Sequence, residues 1–562
     1  MIRKRILNHF LSNPKKIKYM KKNKNYNKNS KIYHILIIKK YLKIKKKMKK
    51  EEEKKEEKKE EEKKKDELIP QRPELEKIKS QRIQFYTASD NLPQHPRTIY
   101  FHYNPKYIKN NQISTKGKIT QYEIISKKYM VVYKAYKGHP ICIKETMKSN
   151  NIIRTRLFED ANLIWKLFSN NNEMIALIKS LNKYQRYNHF PISWELSRKD
   201  FLYTHYKIME KKFPKDYLFM PQSYILPRDK ELIELSFKNY QLEKDDVWIC
   251  KPIDSSKGRG IRLLTSFNNL PLKGIISHYI HNPHLINEKK YDLRLYVLVT
   301  GFFPLKIYLF KEGVARFASE KYDIKLKENK LNHRKIHITD FIQESDDEND
   351  KSDSSDSSES SDDYKKNKNI NTAFDANKER VSLHELKNWF SDNKIHFSTI
   401  MKKIKDIIIK VFISITDYAI PKIKELNVNS VNLFEIFGID ILIDERLRPW
   451  LMEVNLNPSL NSDNKLEKEI KYKLIPDIMN IIGLIPYSHD GNYKIYDLEP
   501  FYKNNIEESV IESLQEFDRN NGEFERIFPL MENIDIYNKF LEKPGDENLA
   551  LWDAIKNKTK FK

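Results

Sequence analysis

The chain has 562 residues, enough for two or three domains and a sizeable core, although a charged fraction of 32% leaves much of it solvated. A formal net charge of +26 asks for a polyanionic partner, and nucleic acid, an anionic membrane face and an acidic protein tail all satisfy it. Only Cys142 and Cys250 are present, which excludes a disulfide framework and a cysteine-based zinc site and suits an intracellular setting. The longest N-terminal apolar run, Ile32 to Ile38, is interrupted by Tyr33 and His34, so neither a secretory signal nor a membrane span is expected.

From Met1 to about Lys65 the chain is dominated by Lys and Asn and then by Glu/Lys blocks, which cannot bury enough apolar surface to offset their ordering entropy. Residues 1–95 are therefore expected to be a basic, mostly disordered arm, with ordered sequence starting near Arg97. Lys183 to Leu202 carries Ser193 ahead of a helix that should hold Trp194, Arg198 and Lys199. A strand follows between Pro221 and Pro227, then a helix from Asp229 to Lys238.

Val247 to Leu264, VWICKPIDSSKGRGIRLL, reads as strand, small-residue loop, strand. The chain has only 12 glycines, and Gly258 and Gly260 stand together in this loop. Without a Cβ they let backbone N–H groups approach phosphate oxygens, while Lys257 and Arg259 supply charge and Lys251 reaches in from the preceding strand. A plain basic β-turn fits the same residues, and the loop is neither a Walker loop nor a dinucleotide fingerprint. Ile275 to Asn282 reads as a short strand and turn whose backbone around His278 to Ile280 suits an adenine edge. In the next strand Lys290, Asp292 and Arg294 alternate onto one face. Arg294 runs into five largely apolar residues, where an arginine is expected to be paired or to hold an anion, and Arg316 is a second such residue.

Glu344 to Asp363, with ten acidic residues against one Lys, should be a disordered surface insert. A long helical pattern runs from about Leu383 to Leu426 with breaks near Asn393 and Pro421, and Lys465 to Ile482 reads as an amphipathic helix. Between them, Ile439 to Ile443 and Trp450 to Val454 form a hairpin. Pairing Ile443 with Trp450 sets Asp440 opposite Glu453, with Asn455 further along the same face. Two buried facing carboxylates call for a hard divalent cation such as Mg²⁺, whereas an ordinary hairpin would turn them to solvent. Asn504 to Phe517 reads as an appended helix, and Phe524 to Pro529 as a docking strand.

The blocks WICKPIDSSKGRGI, YDLRLYVLVTGFFPLKIYLFKEGVARFASEKY and FEIFGIDILIDERLRPWLMEVNLNPSL closely resemble the signature blocks of the tubulin tyrosine ligase-like family of the ATP-grasp superfamily. NHFPISWELSRKDFLY and FMPQSYILP resemble blocks of its glutamate-ligase, or polyglutamylase, branch. The similarity covers roughly Arg97 to Pro486. It implies an α/β fold with nucleotide between two mainly antiparallel sheets flanked by helices, divided as 96–190, 191–310, 311–485 with an insert at 344–375, and an extension at 486–562.

The resemblance further implies an ATP-dependent carboxylate–amine ligase that adds free L-glutamate to side-chain carboxylates of tubulin tails, with ATP and Mg²⁺ as cofactors. The expected setting is a cytoplasmic monomer on the cytoskeleton, such as an axoneme or basal body, without nucleic acid. Lys199 and Lys251 would contact phosphates; Lys257, Gly258, Arg259, Gly260 and Ile261 would form the phosphate loop; and His278, Tyr279 and Ile280 would border adenine. Lys290 and Asp292 would meet the nucleotide, Arg294 and Arg316 would stabilise phosphoryl or carboxylate charge, and Asp440, Glu453 and Asn455 would bind the metal, with Glu453 also catalytic. The family's His-Leu-Thr-Asn appears here as His337-Ile338-Thr339-Asp340, placing a carboxylate near the nucleotide, and the expected Tyr-Ser continuation is replaced by Phe341-Ile342. The SSKGRG loop resembles that of glutamylases that start branches.

Overall fold

A computed structural model of the chain describes residues 78–87, 96–108, 118–167, 171–239, 247–253, 259–264, 270–322, 339, 378–427, 430–461, 464–490, 493–496, 504–519 and 522–557. Within the compact unit Ile78–Lys562, paired backbone begins earlier than Arg97. Strand β1 (Ser80–Ile83) lies antiparallel to β2 (Glu123–Ser126), its Gln81 and Ile83 buried and Ser80 and Arg82 outward. That alternation stabilises a strand directly behind a lysine-rich stretch. Four short parallel strands follow: β3 (Val132–Ala135), β4 (Ile153–Arg154), β5 (Leu163–Trp165) and β6 (Arg186–Tyr187).

The expected single helix around Trp194 is instead broken at Arg198, whose backbone is extended. Helix α1 (Lys199–Lys212) therefore begins at Lys199. A four-stranded antiparallel sheet comes next, made of β7 (Ser223–Leu226), β8 (Trp248–Lys251), β9 (Arg262–Leu264) and β10 (Gly274–His278), with α2 (Lys230–Asn239) packed on it through buried Ile233.

The central sheet holds β11 (Leu285–Ile286), β12 (Lys289–Phe302), β13 (Leu305–Phe317), β14 (Arg380–Ser382), β15 (Glu435–Ile443), β16 (Pro449–Leu456) and β17 (Phe524–Phe528). Strands β12, β13 and β15 are buried on both faces over most of their length because both are covered. One face of β12, Leu293, Leu295, Val297 and Val299, joins the core that contains α4 (Phe397–Ile413), and the other, Tyr296 and Leu298, joins the core around α6 (Lys465–Ile482). Helix α6 is buried all round over most of its length rather than amphipathic, since it lies within that second core. The Leu383–Leu426 pattern resolves into α3 (Leu383–Asp392), α4 and α5 (Thr416–Lys424). The second break is not at Pro421, which lies inside α5, but at Ser414 and Ile415. There the Ser414 hydroxyl donates to the Val411 carbonyl (2.6 Å) and the Thr416 hydroxyl to that of Phe412 (3.1 Å), local bonds that compete with the helical ladder. Helix α7 (Asn505–Asp518) and β17 then close on the sheet. Among the described residues no helix is long and apolar enough to cross a membrane.

Candidate active site on the central sheet

Strand register assembles the site. Asp292 pairs with Arg316 between β12 and β13, Arg294 with Asp440 between β12 and β15, and Asp440 with Glu453 between β15 and β16. These positions share one face of the sheet, so two arginines and three acids are gathered there side by side. The hairpin register differs by one from that expected. Ile443 pairs with Pro449 and Leu442 with Trp450, and a bulge then makes Met452 an extra residue and restores the Asp440–Glu453 pairing.

Asp440 does not turn to solvent: it is 3% exposed and receives Arg294 in a bidentate pair, Nε to Oδ1 at 2.5 Å and Nη2 to Oδ2 at 2.9 Å. Arg316 spans two acids, donating to Asp292 at 2.8 and 2.5 Å and approaching Asp440 Oδ2 at 3.0 Å. Burial alone would raise the Asp440 pKa, but Arg294 and then Arg316 outweigh it and hold the carboxyl well below the usual range. The expected repulsion between facing acids is thus met by guanidinium groups. Asn455 Nδ2 lies 3.3 Å from Asp440 Oδ2 and 3.1 Å from Glu453 Oε1, which brings the three expected metal ligands together.

Lysines approach from the smaller sheet and from α1. Lys199 Nζ is 3.4 Å from Glu453 Oε2. Burial lowers the pKa of Lys251, at the end of β8, against the pull of Glu453. Burial also pushes Lys290 down to about 7, helped by Lys251, while its Nζ donates to the Tyr279 hydroxyl at 3.1 Å. Lys199, Lys251, Lys290, Arg294 and Arg316 bring five formal positive charges against three from Asp292, Asp440 and Glu453. This excess, partly out of water, suits a phosphorylated ligand.

The donor set itself fits a hard cation. Among the described residues no trio of His, Cys, Asp or Glu is placed to hold a metal, but two carboxylates and an amide meet here. A half-turn of the Asn455 amide would present its oxygen where its nitrogen now lies.

The other expected residues are placed less centrally. Gly260 has φ +74°, and a Cβ there would lie 2.8 Å from Pro252 Cγ, so the turn requires glycine. Arg259 beside it is exposed and Ile261 half-buried, while Lys257 and Gly258 lie outside the described residues. His278, Tyr279 and Ile280 wall a cleft of about 680 Å³ with the hairpin tip, including Asp444 and Trp450. None of the five cations or three acids above lines that cleft, and Tyr279, whose hydroxyl meets Lys290, is its link to them. Thr339 is a half-buried turn residue; His337, Asp340 and the insert at 344–375 lie outside the described residues.

Three supporting residues escaped the sequence reading. Gly438 makes room for the Arg294 side chain. Buried Glu435 accepts from His189 Nδ1 at 2.7 Å, from the Phe190 N–H at 3.1 Å and from the Ser193 hydroxyl, tying the segment ahead of Lys199 to β15. Arg380 on β14 stands opposite Arg316. An acid and a glycine inside the apolar run FEIFGIDILI were the available signal for the first two.

The model of the tubulin-tyrosine ligase family matches residues 177–491, which holds every residue of this site. The tubulin monoglutamylase TTLL4 of Mus musculus is 35% identical over 317 residues, 55% of this chain and 24% of that one. The tubulin polyglutamylase TTLL5 of Mus musculus is 29% identical over 504 residues, 81% of this chain and 35% of that one. The tubulin polyglutamylase ttll-4 of Caenorhabditis elegans is 29% identical over 356 residues, 62% and 54% of the two chains. The chain thus spans only about a quarter to a half of these relatives.

Proposed function

Because the chain belongs to the tubulin-tyrosine ligase family, we propose that it is an ATP-dependent ligase that joins free L-glutamate to side-chain carboxylates in the acidic tails of tubulin. The observation that carries this reading is the Arg316–Asp292–Arg294–Asp440–Glu453 row with lysines closing on it. Its excess of buried positive charge suits a triphosphate and two acidic substrates held together, and juxtaposition supplies much of the rate advantage.

An acceptor carboxylate attacks the γ-phosphorus of ATP, forming an acyl phosphate and releasing ADP. The amine of the incoming glutamate then attacks the acyl carbon, phosphate leaves, and loss of a proton completes the isopeptide bond. Lys199, Lys251 and Lys290 hold the phosphate chain, and Arg294 and Arg316, fixed by Asp440 and Asp292, meet the charge that develops on the transferring group. Asp440, Glu453 and Asn455 would hold Mg²⁺, which supplies neutralisation of the phosphoryl oxygens when bound. Tyr279 and its neighbours border adenine, and Gly260 shapes the phosphate loop. The resemblance of that loop to branch-starting enzymes favours initiation, by a monomer working on the cytoskeleton.

The test offers the purified chain tubulin, Mg-ATP and labelled glutamate, glycine and tyrosine side by side. ATP-dependent incorporation of glutamate alone is expected. No incorporation, together with co-sedimentation on microtubules, would reduce the protein to a binder.

A further inference from the structure

The register that builds the site continues one strand further than the row itself. On β14, Arg380 stands directly opposite Arg316. Residues so opposed have Cβ atoms about 5 Å apart, and like charges there destabilise a sheet unless each finds its own partner. Arg316 is committed inward, to Asp292 and Asp440. Arg380 is tied outward to Glu467 at the start of α6, and Glu467 shares its other oxygen with Lys471 at 2.6 Å. One carboxylate therefore serves two cations at this corner, beside a third on β13.

The corner is also held firmly. Two residues after Arg380, Ser382 caps α3: its hydroxyl accepts from the Glu385 N–H at 3.0 Å, and the Glu385 carboxylate accepts from the Ser382 N–H at 3.0 Å. On the α6 side, Asn464 caps the helix by accepting from the Glu467 N–H at 3.3 Å. Strand β14 and Glu467 are thus both anchored at helix starts, and the Arg380 side chain between them remains 30% exposed. A guanidinium on a rigid edge, open to solvent and one strand spacing (about 4.8 Å) beyond the innermost arginine, is placed to receive a planar anion in bidentate fashion.

We infer that Arg380 is a substrate-contacting residue that binds a carboxylate of one of the two acidic substrates at the outer edge of the transfer centre, with Glu467 as its positioning residue. This rests on the ligase reading above. An amino acid whose reacting group lies over Arg316 has its remaining carboxylate within a side chain's length of Arg380, so the free glutamate and the acceptor glutamate are the two sources.

Steady-state ligation by the full chain, varying glutamate, tubulin and ATP in turn, tests the assignment. R380Q should raise the KM of one acidic substrate at least tenfold, and whichever KM moves names the source. The ATP KM and the thermal midpoint should stay near wild type, R380K should recover part of the loss, and added guanidinium ion should partly rescue R380A. E467Q should raise the same KM by a smaller factor. Unchanged KM values for both acidic substrates in R380Q would overturn the inference. So would a lowered midpoint with a uniform fall in kcat that guanidinium does not restore. Should the wild-type chain ligate nothing, the ligase reading falls separately, and calorimetry with free glutamate and a polyglutamate peptide decides Arg380 alone: binding equal in wild type and R380Q overturns it.

Discussion

Gly438 lies under the side chain of Arg294: a Cβ built on the glycine would sit 3.3 Å from Arg294 Cδ and 3.4 Å from Nε, with Pro458 Cβ at 3.2 Å on the other side. The bidentate pair between Arg294 and Asp440 needs that space. Gly438→Ala should displace the guanidinium by a few tenths of an ångström and lower kcat on the order of tenfold, about 1.4 kcal/mol in barrier. The stability loss should stay within about 1–3 kcal/mol, typical of an overpacked site. Turnover and a urea melt on the same preparation check both.

Removing the charge of Asp440 should cost more stability than activity measurements alone would reveal. Asp440→Asn leaves Arg294 and Arg316 buried with half their compensation, which predicts a loss of about 3–5 kcal/mol. Its carboxyl pKa is depressed in the folded state, so its contribution is present above the unfolded value and is lost only as pH falls through the lower folded one. Acid unfolding at moderately low pH should therefore start at other groups, and the difference between wild type and the variant should persist across that range in denaturant titrations.

Glu453 is more open, one third exposed with Lys199 beside it at 3.4 Å. Glu453→Gln should abolish ligation while leaving the thermal midpoint within a few degrees, because a single pair this open to water contributes about 1 kcal/mol. Ligation near the wild-type rate would remove Glu453 from the metal and catalytic set.

Lys290 has a pKa near 7 when folded against 10.5 in the unfolded chain, because of burial and then Lys251. The unfolded chain holds the proton that the folded one releases, so this lysine's penalty is fully present below about pH 7 and is relieved as pH rises towards 10.5. A triphosphate beside Lys290 would raise its pKa again. Nucleotide binding at pH 8 should therefore take up close to one proton, readable as a buffer-dependent heat in calorimetry, and Lys290→Met should abolish that dependence.

Helix α7 makes a separate prediction about stability. Glu516 accepts from Thr300, Lys306 and Tyr308, each at 2.6 Å, and all four side chains are buried. Glu516→Ala should cost about 3–5 kcal/mol by leaving Lys306 unpaired. Replacing Glu516 and Lys306 together by Met should recover much of that, as denaturant midpoints would record.

Much of the site was legible because strand alternation is local. Asp292 and Arg294 announced themselves as charges entering an apolar run, and Asp440 and Glu453 as acids on facing arms of a short hairpin. The hairpin pairing was nonetheless off by one, and only the bulge at Met452 returned Asp440 to Glu453, because a bulge leaves no periodic trace in a sequence. What fills the gap between the acids was not legible either. Arg294 and Arg316 reach Asp440 from strands more than a hundred residues earlier, and alternation says which face they occupy but not whom they meet. Arg380 was hidden for the same reason: it follows a long acidic insert and reveals itself only by pairing with β13. The break at Ser414 depended on hydroxyls bonding back within their own turn, while the proline that drew the expectation sits comfortably in α5.

Strand β17 adds to β13 although some two hundred residues separate them in the chain. A growing polypeptide can lay down β12 and β13 early and add β14 at Val314 to Arg316, yet the flank of β13 from Ile307 to Phe310 stays bare on the ribosome until Phe528 has emerged. The nascent sheet thus carries an open, apolar border through much of its synthesis, a window in which chaperones guard the half-made protein or aggregation claims it.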